Sequence, residues 1–97
     1  MNPILIVGAG PVGLVSALRL AAAGIASVVL EKSVGIPRDL RATTFHPPTL
    51  DMLEELAVLE EIEALGVVTP SWQVLHLATG RRVEFPLSAV SDATRHP

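Results

Sequence analysis

No cysteine occurs in the sequence, which excludes disulfide bridges, thiolate metal sites and a cysteine nucleophile, and suits a reducing cytoplasm. Tyrosine is missing as well. The aromatic set is one Trp and two Phe, too sparse for a base-stacking platform on single-stranded nucleic acid. Charge is scarce: 18% of residues are charged and the net charge is −3, so neither nucleic acid nor an anionic membrane is an expected partner. His46, His76 and His96 show no ligand-like pairing, and no metal site is expected. The uncharged stretch from Pro3 to Leu18 has no basic segment before it. It is also too short to span a bilayer and is broken by Gly8, Gly10, Pro11 and Gly13. A soluble, cytoplasmic protein without a membrane span is the expectation.

What remains is a chain built to pack. It is 49% hydrophobic over 97 residues, enough for one small domain or part of a larger one. Ile4-Leu5-Ile6-Val7 is apolar without alternation, as a parallel strand reads when both faces are covered. A helix fits Pro11 to Ala23: proline suits a first turn, Leu14, Ala17, Leu18 and Ala21 share a face, and Gly24 suits the stop. Ser27 to Leu30 reads as a second strand closed by Glu31. Together these make one βαβ unit with a right-handed crossover. Residues 33–48 read as irregular. Leu50, Leu53, Leu56, Leu59, Ile62 and Leu65 recur at helical spacing and predict a helix from Thr49 to Leu65, ending at Gly66. Trp72 to Leu77 and Arg82 to Phe85, joined by Ala78-Thr79-Gly80-Arg81, read as a β-hairpin, and Ser88 to Pro97 shows no pattern.

The chemistry lies between the first strand and the first helix. Gly8-Ala9-Gly10-Pro11-Val12-Gly13 is G-x-G-x-x-G, and the flanking strand and helix are the context that pattern needs. Gly8 permits the tight turn out of the strand, Gly10 keeps side-chain atoms away from a pyrophosphate, and Gly13 lets the helix approach the sheet. The helix N-terminus then offers free N–H groups and partial positive charge to the phosphates. At the end of the second strand, the Glu31 carboxylate can accept hydrogen bonds from both ribose hydroxyls of an adenosine and repels a 2′-phosphate. No Gly-Lys-Ser/Thr follows the glycines, so a P-loop is excluded. Dinucleotide binding is the reading.

A longer pattern extends this one: Gly8, Gly10, Gly13, Ala17, Leu20 and Gly24, followed by Val28-Val29-Leu30-Glu31-Lys32. It resembles the FAD fingerprint of the glutathione-reductase-like flavoprotein superfamily. Gly-Ala-Gly-Pro-Val-Gly-Leu, with Pro11 and Val12 after the second glycine, is similar to the FAD-dependent aromatic-ring hydroxylases in particular. Leu40-Arg41-Ala42 and Pro48 to Leu56 resemble the segment of that family in which an arginine reaches back to FAD. By that resemblance Pro11, Val12, Lys32 and Arg41 join Gly8, Gly10, Gly13 and Glu31 at the cofactor. A guanidinium grips a diphosphate in two-pronged fashion. The family often carries a glycine after its Glu-Leu pair, breaking the helix there. Ala57 stands in that place, so the helix is expected to be able to run on.

The resemblance implies an α/β fold, a Rossmann-like βαβ FAD-binding unit followed by a helical segment and a β-hairpin, in an incomplete domain. The βαβ fingerprint covers 1–32, the loop and helix 33–70, and a hairpin beginning the substrate-binding region 71–97. It also implies a parent enzyme that hydroxylates a small aromatic substrate with NADH or NADPH and O2, none of whose catalytic residues need lie in these 97. The family's Asp-Gly and Gly-Asp motifs are absent. The chain alone is therefore expected to be inactive. A non-catalytic dinucleotide-binding module, or another enzyme on the same scaffold such as a halogenase, epoxidase or reductase, stays open. Trp72 is expected to be packed rather than to face a substrate, and His76 to be an ordinary strand histidine.

Overall fold

The computed structural model describes residues 2–39 and 41–97. They form two compact units, one ending at Thr43 and one beginning at Thr44.

The first unit is the βαβ element. Strand β1 (Ile4–Val7), helix α1 (Pro11–Ala22) and strand β2 (Ser27–Leu30) follow in order. The strands pair in parallel, Ile4 opposite Ser27 and Val7 opposite Leu30. Parallel strands need a crossover of about a dozen residues, and α1 supplies it. The ladder is extended at both ends, by Ile4 N–H to the Ala26 carbonyl (2.9 Å) and by Gly8 N–H to the Leu30 carbonyl (2.7 Å). Pro11 opens the helix, where its missing N–H costs nothing. The helix closes with Gly24 N–H on the Ala21 carbonyl and Ile25 N–H on the Leu20 carbonyl, the paired bonds of a Schellman motif with a left-handed residue at Gly24.

The face of α1 that is covered differs from the expected one. Gly13, Ser16, Ala17 and Leu20 are half-buried, whereas Leu14 and Leu18 are exposed. A two-stranded ribbon is narrow and covers only the stripe that begins at Gly13.

The second unit begins with α2 (Pro47–Glu55) and α3 (Leu59–Glu63). The single helix expected from Thr49 to Leu65 is therefore two, and the break falls at the residues after Glu55. Ala57 has φ +57°, a left-handed conformation unusual for a residue with a Cβ. Its N–H bonds the Glu54 carbonyl (2.9 Å) and Val58 N–H bonds the Leu53 carbonyl (3.1 Å), a second Schellman closure with alanine where glycine is usual. The turn brings the leucine stripe round so that Leu53 and Leu59, on either side of it, are the buried hydrophobic residues among those described.

Strands β3 (Ser71–His76) and β4 (Arg81–Pro86) form the antiparallel hairpin, with Trp72 opposite Phe85 and His76 opposite Arg81. His76 Nδ1 lies 2.8 Å from Thr79 Oγ1, so this histidine is engaged at the turn. Trp72 is not packed: it is 50% exposed. Its neighbour across the ribbon, Phe85, is exposed too. The unpatterned tail contains a short 3-10 helix, η1 (Leu87–Val90), joined to the hairpin by Leu87 N–H on the Pro70 carbonyl (3.0 Å). Beyond it Arg95 Nη2 meets Glu54 Oε2 at 2.5 Å, and His96 Nε2 lies 3.3 Å from Glu54 Oε2 and 3.8 Å from Asp51 Oδ1. The tail is thus tied to the carboxylates of α2 by two basic side chains.

Ala57 makes the break testable. A left-handed conformation costs a residue with a Cβ roughly 1–2 kcal/mol relative to glycine, and the greater freedom of glycine in the unfolded chain returns about 0.4–1 kcal/mol of that. Ala57→Gly is expected to stabilise the chain by about 0.5–1 kcal/mol, read as a higher urea midpoint at unchanged slope.

Candidate dinucleotide-binding site

The register of β1 and β2 puts Val7 beside Leu30, so the chain leaves the sheet at Gly8 and at Glu31 on the same level. There the six residues Gly8 to Gly13 turn from strand into helix.

The three glycines stand under different constraints. Gly8 has φ +106°, a conformation L side chains rarely adopt, yet a Cβ there would meet nothing within 4 Å. Its constraint is the backbone. Gly13 has the opposite constraint: a Cβ would stand 2.0 Å from the Gly8 carbonyl oxygen and 3.1 Å from its carbon. Helix and turn are in contact through the space a side chain would fill. Gly10 has neither constraint. Its φ of −72° and ψ of 178° suit any residue, and a Cβ would meet nothing within 4 Å. Neither its backbone angles nor the packing within the chain requires glycine at this position, which is the N-cap of α1.

The first turn of α1 adds main-chain donors next to Gly10. No side chain caps α1 at Gly10, and Pro11 has no N–H, so Val12 and Gly13 present the first helical N–H groups. Ser16 Oγ donates instead to the Val12 carbonyl (2.7 Å) within the helix.

Glu31 does more than the sequence led us to expect. Its Oε2 accepts a hydrogen bond from Ala9 N–H at 2.8 Å, and its Oε1 accepts one from Ser33 N–H at 2.8 Å. The carboxylate is held below its usual pKa range, first by the Ala9 N–H and then by that of Ser33, both favouring the charged form. Neither partner is legible in the sequence, because each contributes its main-chain N–H. A carboxylate has about four lone-pair sites, so both oxygens retain capacity for a ribose hydroxyl.

Lys32 follows Glu31 and is exposed. Arg41 forms an ion pair with Asp39, Nε to Oδ2 at 2.7 Å, with its side chain 78% exposed. Its two-residue separation makes this a local pair, made through Nε. Leu40, part of the segment that carries the resemblance around Arg41, lies outside the described residues.

Two measurements test this geometry. Inside a helix Gly→Ala ordinarily gains about 1 kcal/mol, but overpacking against backbone costs about 1–3 kcal/mol. The collision with the Gly8 carbonyl wins, so Gly13→Ala is expected to be destabilising, by about 1 kcal/mol or more, in urea denaturation. The second concerns pH. Because the folded pKa of Glu31 is lowered, its contribution to stability is present above the ordinary carboxylate pKa and is lost as pH falls through the lowered value. The amide NMR shifts of Ala9 and Ser33 are expected to move together, with a common midpoint below the ordinary glutamate value.

Comparison with known proteins bears on the whole chain. A family model described as "FAD binding domain" matches residues 1–95. Para-nitrophenol 4-monooxygenase of Pseudomonas sp. (strain WBC-3) is 34% identical over 97 residues, which is 100% of this chain and 24% of the relative. The 6-hydroxy-3-succinoylpyridine 3-monooxygenase of Pseudomonas putida is 35% identical over 94 residues, 97% of this chain and 24% of the relative. The crystal structure of p-nitrophenol 4-monooxygenase from Pseudomonas putida DLL-E4 superposes with a TM-score of 0.87 at 32% identity, covering 100% of this chain and 25% of that one. The chain thus spans about a quarter of the length of the relatives it matches. No helix among the described residues is long and apolar enough to cross a membrane. With a family model over nearly its full length and relatives at 34–35% identity across it, the chain belongs to the FAD binding domain family, with FAD as its cofactor.

Proposed function

We propose that the chain holds the adenosine and diphosphate end of FAD, as the N-terminal part of a flavin-dependent monooxygenase that hydroxylates a small aromatic substrate with NADH or NADPH and O2. The observation that carries the placement is Gly10, whose missing side chain answers to no constraint within the chain. The relatives named above, para-nitrophenol 4-monooxygenase among them, support the reaction class.

In this reading each residue has a defined task. Gly8 turns the backbone out of β1, and Gly10 leaves room for the pyrophosphate against the main chain. Val12 and Gly13 donate their N–H groups at the positive end of α1, where anionic oxygens are favoured. Glu31 accepts the ribose hydroxyls, and its charge repels a 2′-phosphate. Pro11 fixes the start of the helix, Lys32 adds a cation at the end of β2, and Arg41 brings its guanidinium to the diphosphate. The ion pair with Asp39 engages Nε, and the two Nη groups are the fork that grips phosphate oxygens. When bound, FAD supplies the redox chemistry between the nicotinamide donor and O2. The task of the chain is to bind and orient, and no residue of it is assigned a proton or a bond to the substrate.

The test is Gly10→Val. Valine suits the extended φ and ψ of Gly10, and its Cβ would meet nothing within 4 Å, so without ligand the chain is expected to stay folded, with a loss of about 1 kcal/mol or less from the poorer helix cap. FAD affinity, titrated by flavin fluorescence, is expected to fall by about 100-fold or more, the equivalent of roughly 2.7 kcal/mol. FAD binding as tight as in the parent would sink this placement.

A further inference from the structure

We infer that Glu31 positions the phosphate loop itself, through Ala9 N–H, in addition to the ribose contact proposed for it. The inference rests on the FAD placement above, but its geometry belongs to the ligand-free chain.

The last main-chain bond between the two strands runs from Gly8 N–H to the Leu30 carbonyl, at 2.7 Å. At Gly8 the backbone takes φ +106° and leaves the plane of the ladder. Ala9 N–H, which would face away from β2 if the strand ran on, instead meets the Glu31 carboxylate at 2.8 Å, so a side chain links the two strand ends beyond their last main-chain bond. The other carboxylate oxygen is fixed by Ser33 N–H, also at 2.8 Å. Two N–H groups on two oxygens set both the position and the plane of the carboxylate. Ala9 stands between Gly8 and Gly10, so an anchor at Ala9 sets where the bare backbone of Gly10 lies.

This arrangement needs glutamate rather than its near relatives. An amide in place of the carboxylate has one acceptor oxygen, and its NH2 group would face one of the two N–H donors. Aspartate keeps the charge but loses one methylene of reach.

Glu31→Gln and Glu31→Asp in the 97-residue chain separate position from charge and from ribose contact. Without ligand, Ala9 and Ser33 amides are expected to exchange with solvent about 10-fold faster in Glu31→Gln, in line with loss of a hydrogen bond to a charged group. The Gly8 amide, bonded to Leu30, reports that the ladder is intact. Glu31→Asp is expected to behave as Glu31→Gln does. Parent-like exchange in either variant overturns the inference.

Ligand binding gives a readout that a ribose contact alone would not move. FAD and an analogue lacking the 2′ and 3′ hydroxyls of the adenosine ribose are titrated against parent and Glu31→Gln. Loop positioning predicts that the variant weakens both ligands, the analogue by about 10-fold. A loss confined to FAD would mean that Glu31 acts through the ribose only, and the inference fails. If neither ligand binds the parent chain, the FAD placement is what has failed, and the exchange rates decide the role of Glu31 by themselves.

Discussion

The site depends on one close approach, that of Gly13 to the Gly8 carbonyl. A Cβ at Gly13 would stand 2.0 Å from that oxygen, so the distance between turn and helix is set by the absence of a single atom. The contact fixes where α1 begins, and with it where the Val12 and Gly13 N–H groups and the positive end of the helix dipole fall. The parallel register then does the rest. Val7 pairs with Leu30, so Gly8 and Glu31 emerge side by side and the carboxylate reaches Ala9. A slip of one residue in that register would turn every strand side chain to the opposite face and carry Glu31 away from the loop. Loop, dipole and carboxylate are therefore consequences of one contact and one register.

The glycines were legible as a motif, and the structure separates what the motif leaves merged. Gly8 answers to backbone conformation, Gly13 to contact within the chain and Gly10 to neither. The second role of Glu31 was not legible for a definite reason. Its partners Ala9 and Ser33 contribute main-chain N–H groups, and a main-chain donor leaves no trace in residue identity. Arg41 is the converse case. It stands in an irregular segment without period or spacing, so its assignment to the cofactor comes from family resemblance, and the structure gives it a local partner in Asp39.

Elsewhere, periodicity marked the elements well and their interruptions poorly. β1 and β2 lie where their apolar runs placed them; β3 begins and ends one residue earlier than expected, and β4 extends one residue beyond each expected end. The leucine stripe from Leu50 to Leu65 read as one helix because the break keeps the stripe nearly in phase. Leu53 and Leu59 are buried on the two sides of a left-handed residue. Glycine at position 57 would have announced that turn, but alanine conceals it at a cost in strain. His96 was equally hidden. Its partners Asp51 and Glu54 lie far away in sequence, and no local pattern connects a tail residue to a helix face.

Burial and binding are distributed unequally in the βαβ unit, and this links them. Ile4, Leu5, Val7, Val28 and Leu30 are all exposed large hydrophobics, so the unit withdraws little apolar surface from water. The geometry of the loop, by contrast, is complete within it: a steric contact, a left-handed glycine and the two bonds of Glu31 all fall between Gly8 and Ser33. A ligand that binds only this folded loop adds RT ln(1 + [L]/Kd) to stability, about 2.7 kcal/mol at one hundred times Kd. For a unit with so little buried surface, that contribution is large relative to what its own contacts provide. On the FAD placement proposed above, the cofactor would therefore stabilise the folded loop as well as occupy it.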